Sequence, residues 1–195
     1  ELDPGGTRYP SLSVHGLAVL GKRVFAGGGS IAVGRPAGEG FLAVSEDNGS
    51  TWKSLRYRDG SPIIRRMAVA KDTLLLDIRT VVPDAKTGGR TDATGNGMLA
   101  STDGGKTFHE IPSAADDKAA HGDLFCVSGD GEHVALTFGY ASFSDVVALS
   151  GGRFIASSDG GKTFASFPSP ESTCVVAVAW AGKKVIAIAI HGKVQ

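Results

Sequence analysis

Three aspartates have the clearest chemical potential in this chain: Asp47, Asp103 and Asp159, each followed four residues later by a threonine, Thr51, Thr107 and Thr163. A carboxylate near a hydroxyl suits cation ligation, proton transfer, or satisfaction of backbone N–H groups in a tight turn. The neighbouring residues select the turn. Each Asp lies in a frame Ser-x-Asp-x-Gly-x-Thr-aromatic: Ser45 to Trp52, Ser101 to Phe108 and Ser157 to Phe164. Gly49, Gly105 and Gly161 can take positive φ without a Cβ clash, and the Thr hydroxyl closes the network around the carboxylate. Trp52, Phe108 and Phe164 open the next strand with apolar surface that can wedge, buried, between adjacent sheets. One carboxylate per unit, on separate units, is not the ligand cluster of a calcium loop. His15, His109, His121, His133 and His191 show no metal-ligand spacing. Gly27-Gly28-Gly29 is not followed by a helix pattern, so it is no phosphate cradle. No metal or cofactor signature remains.

The spacing points to the elements that carry these turns. Asp47, Asp103 and Asp159 stand 56 residues apart in both intervals, and equal spacing means equal structural units. Unit one reads as strands over 13–20, 23–26 with a Gly-rich extension, 41–45 and 52–57. Unit two gives 63–70, 73–79, 97–101 and 108–111, with a long polar loop over 80–96. Unit three gives 123–128, 133–138, 153–157 and 164–167. Four short strands per unit is the arithmetic of a β-propeller blade. The blades are thus roughly 13–57, 63–111 and 123–167, and 172–195 supplies the first two strands of a fourth. The expected fold is an all-β partial propeller, one domain over 1–195, of about three and a half four-stranded antiparallel blades. With 195 residues, 42% of them hydrophobic and 28 glycines, the chain can bury a substantial core. Twenty basic residues balance twenty acidic ones, which gives no overall field for nucleic acid, and no apolar run reaches membrane-spanning length. The open end of a half-finished ring exposes strand edges and apolar faces, so the remainder of a propeller or a second chain is expected to cover them.

The three frames resemble the Asp box, or BNR repeat, of sialidases and related propellers. Thr7-Arg8-Tyr9-Pro10-Ser11-Leu12 is similar to the Arg-x-Pro motif that precedes the first Asp box in sialidases, and Val178-Ala179-Trp180-Ala181-Gly182-Lys183 to a Trp-x-Gly-Lys turn of the trans-sialidase superfamily. The resemblance runs in order along nearly the whole chain. It implies the amino-terminal part of a six-bladed propeller, with Arg8 as the first member of an arginine triad that grips the carboxylate of a sialylated glycan. Family members use an Asp acid/base and a Tyr nucleophile activated by a Glu. The stretch matching the Asp, Val24 to Ala32, has no carboxylate. Thr173-Cys174 stands where the Glu belongs, with Glu171 out of register. Ile188 to His191 lacks the second Arg.

The resemblance therefore implies a non-catalytic or degenerate surface propeller that binds glycan or protein ligands, and this chain alone is expected to be inactive. A fragment of an active sialidase or trans-sialidase, and an Asp-box scaffold or assembly factor, are the alternatives. Arg79, at the end of an apolar strand, and Asp84, Arg90 and Asp92, on the long loop, join Arg8 as candidate ligand-binding residues on the face opposite the Asp boxes. Cys126 and Cys174 fall in equivalent first strands; a disulfide and two free thiols are both open readings. Asn48 replaces the Gly found at 104 and 160 and forms the sequon Asn48-Gly49-Ser50, as well as tolerating a left-handed turn. The resemblance implies an extracellular or cell-surface location. Material from the native source should then carry a glycan-sized mass on the Asn48 peptide that an amide-cleaving glycosidase removes; an unmodified peptide there would count against a secreted protein.

Overall fold

The computed structural model describes residues 12–30, 39–83, 90–92, 97–111, 122–141, 149–168 and 173–191, and among these every regular element is a strand. Strands β1 (Ser13–Leu20), β2 (Arg23–Ser30), β3 (Glu39–Ser45) and β4 (Lys53–Ser54) form the first sheet, in chain order. Strands β5 (Ile63–Ala70) and β6 (Thr73–Arg79) begin the second; β7 (Val81–Pro83) and β8 (Arg90–Asp92) leave it as a separate hairpin, and β9 (Gly97–Ser101) and β10 (His109–Glu110) complete it. Strands β11 (Gly122–Val127), β12 (Val134–Ala141), β13 (Leu149–Ser157) and β14 (Ala165–Pro168) make the third. Strands β15 (Thr173–Ala181) and β16 (Lys184–His191) pair as a two-stranded sheet. All pairings are antiparallel. The chain is a partial β-propeller: three up-and-down blades and two strands of a fourth.

The structure departs from the sequence reading in the third blade, where β12 runs on to Ala141 and β13 starts at Leu149, beyond the expected 133–138 and 153–157, and at two further kinds of place. The outermost strands β4 and β10 are two residues long, not the spans 52–57 and 108–111, because pairing continues past them only as single bonds, Leu55 N–H to Leu42 O at 2.8 Å and Ile111 N–H to Met98 O at 3.0 Å. The stretch over 80–96, read as a polar loop, contains the β7–β8 hairpin, with Val81 opposite Asp92 and Pro83 opposite Arg90. The β-branched pair Val81-Val82 favours strand there.

The core lies between blades. One cluster joins Phe25, Leu42 and Val44 of the first blade to Ile64, Leu74, Leu76, Ile78 and Leu99 of the second. Another joins Leu75, Met98 and Ala100 of the second to Val134, Leu136 and Ile155 of the third. Strand β6 is apolar on both faces because it has a blade on either side, and the run Leu74-Leu75-Leu76 is fully buried. On the far side of the third blade, Trp180 at the end of β15 lies against His133, ring centroids 4.9 Å apart.

Close approach explains the glycines of β2. A Cβ on Gly28 would lie 1.9 Å from Ser13 O of the paired strand, and one on Gly27 would lie 2.6 Å from Met67 Sδ of the next blade. The first is a backbone atom, which cannot yield as a flexible side chain does. Gly28→Ala is therefore expected to cost about 1–3 kcal/mol in urea unfolding, while Gly97→Ala, with nothing within 4 Å of its Cβ, stays within about 0.5 kcal/mol. Equal effects from the two substitutions would contradict this packing.

Candidate functional site

Up-and-down connectivity gives each blade two ends. The β1–β2 and β3–β4 turns, and their counterparts in the other blades, lie at one end. The starts of the first strands, the ends of the second strands and the β7–β8 hairpin lie at the other.

At the first end the three repeated frames share one hydrogen-bond pattern between third and fourth strands. The serine is the hub. Ser45, Ser101 and Ser157 are buried, and each Oγ donates to its Asp Oδ1 at 2.8, 2.8 and 2.7 Å. Each Oγ also accepts from the N–H of Gly49, Gly105 or Gly161 at 2.7, 2.8 and 2.9 Å. Asp Oδ1 accepts the Thr N–H at 2.8, 3.0 and 3.0 Å, and Oδ2 the Thr hydroxyl at 2.6 Å in every copy. Two consecutive residues take positive φ: Asn48 and Gly49, Gly104 and Gly105, Gly160 and Gly161. Asn48 is exposed. Trp52, Phe108 and Phe164 are half-buried, not buried as their type predicts. Trp52 keeps one edge at the surface so that its Nε1–H can donate to Gly49 O at 3.0 Å. The serine's role was missed although it stands in all three copies; the turn chemistry had been assigned to Asp, Gly and Thr alone.

These bonds hold the carboxylates ionised. The Thr51 hydroxyl, the Thr51 N–H and Ser45 draw the Asp47 carboxyl down to about 2. The Thr107 hydroxyl leads the same effect at Asp103, which falls well below the usual range. At Asp159 burial acts most strongly and pushes upward, but Thr163, Ser157 and the Lys162 N–H outweigh it and hold the carboxyl at about 2. Such a carboxylate is already saturated with donors. It serves the turn and has no proton to offer near neutral pH.

At the other end the first strands share a feature with no sequence marker. Each has a bulge near its start: between Val14 and Gly16 in β1, Ile64 and Arg66 in β5, Gly122 and Leu124 in β11, and Val175 and Ala177 in β15. The inserted residues are His15, Arg65, Asp123 and Val176. A bulge bends the strand and re-aims its extra residue. His15 is exposed, with its Nδ1 3.0 Å from Ile64 O of the next blade. Arg65 is mostly buried and pairs with buried Asp77, Nε to Oδ2 at 3.8 Å. Arg66 and Arg79 are half-buried beside them, Arg79 opposite Ile63 at the end of β6. Glu39, at the start of β3, brings a carboxylate to this end of the first blade.

Of the candidate ligand-binding residues, Arg79 lies in this group, and Arg90 and Asp92 belong to β8 on the hairpin that leaves the same end. Arg8 and Asp84 lie outside the described residues. Cys126 is a half-buried free thiol. A separate shallow cleft of about 390 Å³ opens on the outer rim between the first two blades, over Tyr57 and Phe108. Its rim charges are paired with each other, Arg56 with Asp59 and Arg58 with Glu110, which leaves no net charge to attract a ligand.

No protein-family model and no curated protein matches the sequence. Among solved structures the chain is similar to an ancestral GH74 enzyme, at 16% identity over 80% of this chain and 20% of that one, TM-score 0.49. It is similar to a Bombyx mori GH32 beta-fructofuranosidase, at 12% identity over 91% of this chain and 41% of that one, TM-score 0.44. It is also similar to the Trypanosoma rangeli sialidase, at 14% identity over 91% of this chain and 34% of that one, TM-score 0.46. The chain thus spans less than half the length of each.

The depressed carboxyls make stability depend on acid. A carboxyl whose folded value lies near 2, against an ordinary 3.8, contributes stability that is present above pH 4 and is lost as the pH falls toward 2. Urea midpoints should hold steady from about pH 7 to 5 as far as these groups are concerned and drop between about pH 4 and 2. Asp103→Asn should lower the midpoint at neutral pH and make the acid drop shallower. An unchanged acid profile in that variant would show that the turn carboxylates do not carry it.

Proposed function

We propose that this chain is part of a non-catalytic, sialidase-like surface propeller, with Asp-box turns at one end and a ligand face at the other that takes an anionic glycan. A sialylated glycan is the first candidate ligand, and an extracellular or cell-surface location goes with it. The observation that carries the reading is the group Arg65, Arg66 and Arg79 at the start of β5 and the end of β6, beside His15. Guanidinium groups recognise carboxylates through planar, charge-assisted hydrogen bonds, and a buried Asp77 against Arg65 fixes one of them in place. The Asp box and Arg-x-Pro resemblance supplies the sialic acid; the carboxylates missing from the stretches that match the family's acid and its activating Glu argue for binding without hydrolysis.

Titration calorimetry with 3′-sialyllactose and with lactose tests it. The sialylated sugar should bind and the neutral one should not, with binding weakened by salt. Arg79→Ala should weaken it about tenfold, equivalent to about 1.4 kcal/mol. A fluorogenic sialoside should release no sialic acid. Equal binding of the two sugars, or turnover of the sialoside, overturns the reading.

A further inference from the structure

Two of the first-strand bulges are hooked to one another. His15, the residue inserted in β1, has its Nδ1 3.0 Å from Ile64 O, and Ile64 immediately precedes Arg65, the residue inserted in β5. The carbonyl that His15 reaches therefore belongs to the peptide unit that carries the Arg65 N–H. The bond crosses the seam between the first two blades. In that seam Ile64 is fully buried, and Gly16 lies so close to Met67 that a Cβ would come 3.1 Å from its Cγ. Strands β1 and β5 supply both sides of the contact, so it needs no further segment to form.

A carbonyl oxygen can only accept, so Nδ1 of His15 carries a proton whether the ring is neutral or charged. In the neutral ring Nε2 is a bare acceptor, and a proton that the ring gains has to go there. The two ring nitrogens point in nearly opposite directions. With Nδ1 turned into the seam, Nε2 lies on the exposed side of the ring. The charged groups at this end of the first two blades are Arg65 and Arg66 of β5, Arg79 of β6, the buried Asp77 that pairs with Arg65, and Glu39 of β3. Arginine keeps its charge throughout the neutral range, whereas imidazole is the side chain that changes charge there.

We propose that His15 couples anion binding at this end to proton uptake. When the carboxylate of an anionic sugar sits against the arginines, His15 takes a proton from solvent on Nε2 and donates a hydrogen bond from it to the ligand; the proton returns to solvent when the ligand leaves. This rests on the reading of the arginine-bearing end as an anion site. A carboxylate beside the ring favours the imidazolium, and by linkage the imidazolium tightens the carboxylate by the same factor. The face thus holds its ligand more tightly in mildly acidic surroundings and releases it as the pH rises.

NMR of the imidazole nitrogens in the ligand-free protein reads the ring directly. At about pH 8 His15 should show Nδ1 protonated and Nε2 bare, and the opposite tautomer overturns the proposal whatever the protein binds. Titration calorimetry with 3′-sialyllactose reads the coupling. Affinity should rise about fivefold or more from about pH 8 to about pH 5.5, an interval above the acid range in which the Asp turns weaken. At about pH 6.5 the heat should vary with the ionisation enthalpy of the buffer, as it does when a proton is taken up with the ligand. His15→Gln keeps an N–H donor for the Ile64 carbonyl but cannot titrate, so its affinity should be the same at both pH values and its heat independent of buffer. A wild-type affinity indifferent to pH, or a pH dependence that survives in His15→Gln, overturns the coupling and leaves the anion site standing. Failure of the sugar to bind at any pH overturns the anion site and the coupling together.

Discussion

The contact on which the rest of this structure depends is a glycine at positive φ, held in a turn that needs nothing from outside, laid on an apolar side chain of the preceding blade. Three things must coincide for it. The serine, aspartate and threonine satisfy the turn's own N–H groups, so its backbone can approach an apolar surface without leaving a buried donor unpaired. The glycine has no Cβ, so the approach can be close. The side chain beneath, Phe25 or Leu75, is thereby sealed from water at the edge of a core that would otherwise be open.

That arrangement divides the labour between the two ends of the blades. The turn end is constrained residue by residue, and its sequence repeats. The other end is constrained only in backbone shape: each first strand bulges near its start, whichever residue is inserted. The four inserted residues, His15, Arg65, Asp123 and Val176, share no chemical property. A scaffold of this kind can vary the residue types at that end, although His15 still reaches across to Ile64 O of the next blade. Arg65 is tied within its own blade, through its pairing with Asp77 of β6.

This difference explains what could be read from the sequence. The blades were legible because Asp47, Asp103 and Asp159 mark them at a fixed interval, and most strand boundaries follow from the turn residues between apolar runs. The bulges were not legible, since a bulge is a register event between two strands and no residue type specifies it. The β7–β8 hairpin was hidden by the polar residues around Val81 and Val82. Trp52, Phe108 and Phe164 read as buried from size alone, whereas each is half-buried: Phe108 and Phe164 pack at the rim of the core between blades, and Trp52 bonds back to its own turn. The packing role of the Gly-rich β2 was not legible, because it required knowing that β5 would come to lie against it. Arg65 and Arg66 were passed over because Ile63-Ile64-Arg65-Arg66-Met67 reads as a strand with an interrupted pattern, and the bulge that reconciles it is tertiary.

One further turn combines a Ser-Asp network with a glycine contact without the rest of the repeated frame. Ser128-Gly129-Asp130-Gly131-Glu132 joins β11 to β12 and lies outside the repeat. Ser128 donates to Asp130, whose carboxyl is drawn down first by that bond and next by the Glu132 N–H, and the His133 N–H returns to Ser128 Oγ at 3.0 Å. There is no threonine and no following aromatic. Yet Gly131 takes positive φ and comes so close to the second blade that a Cβ would lie 2.8 Å from Lys71 N, while Lys71 Nζ pairs with Glu132 at 2.6 Å. Two different connections have therefore converged on a self-satisfied serine–aspartate turn that presents a bare glycine to the preceding blade. The aspartate is needed for the turn and the glycine for the neighbour.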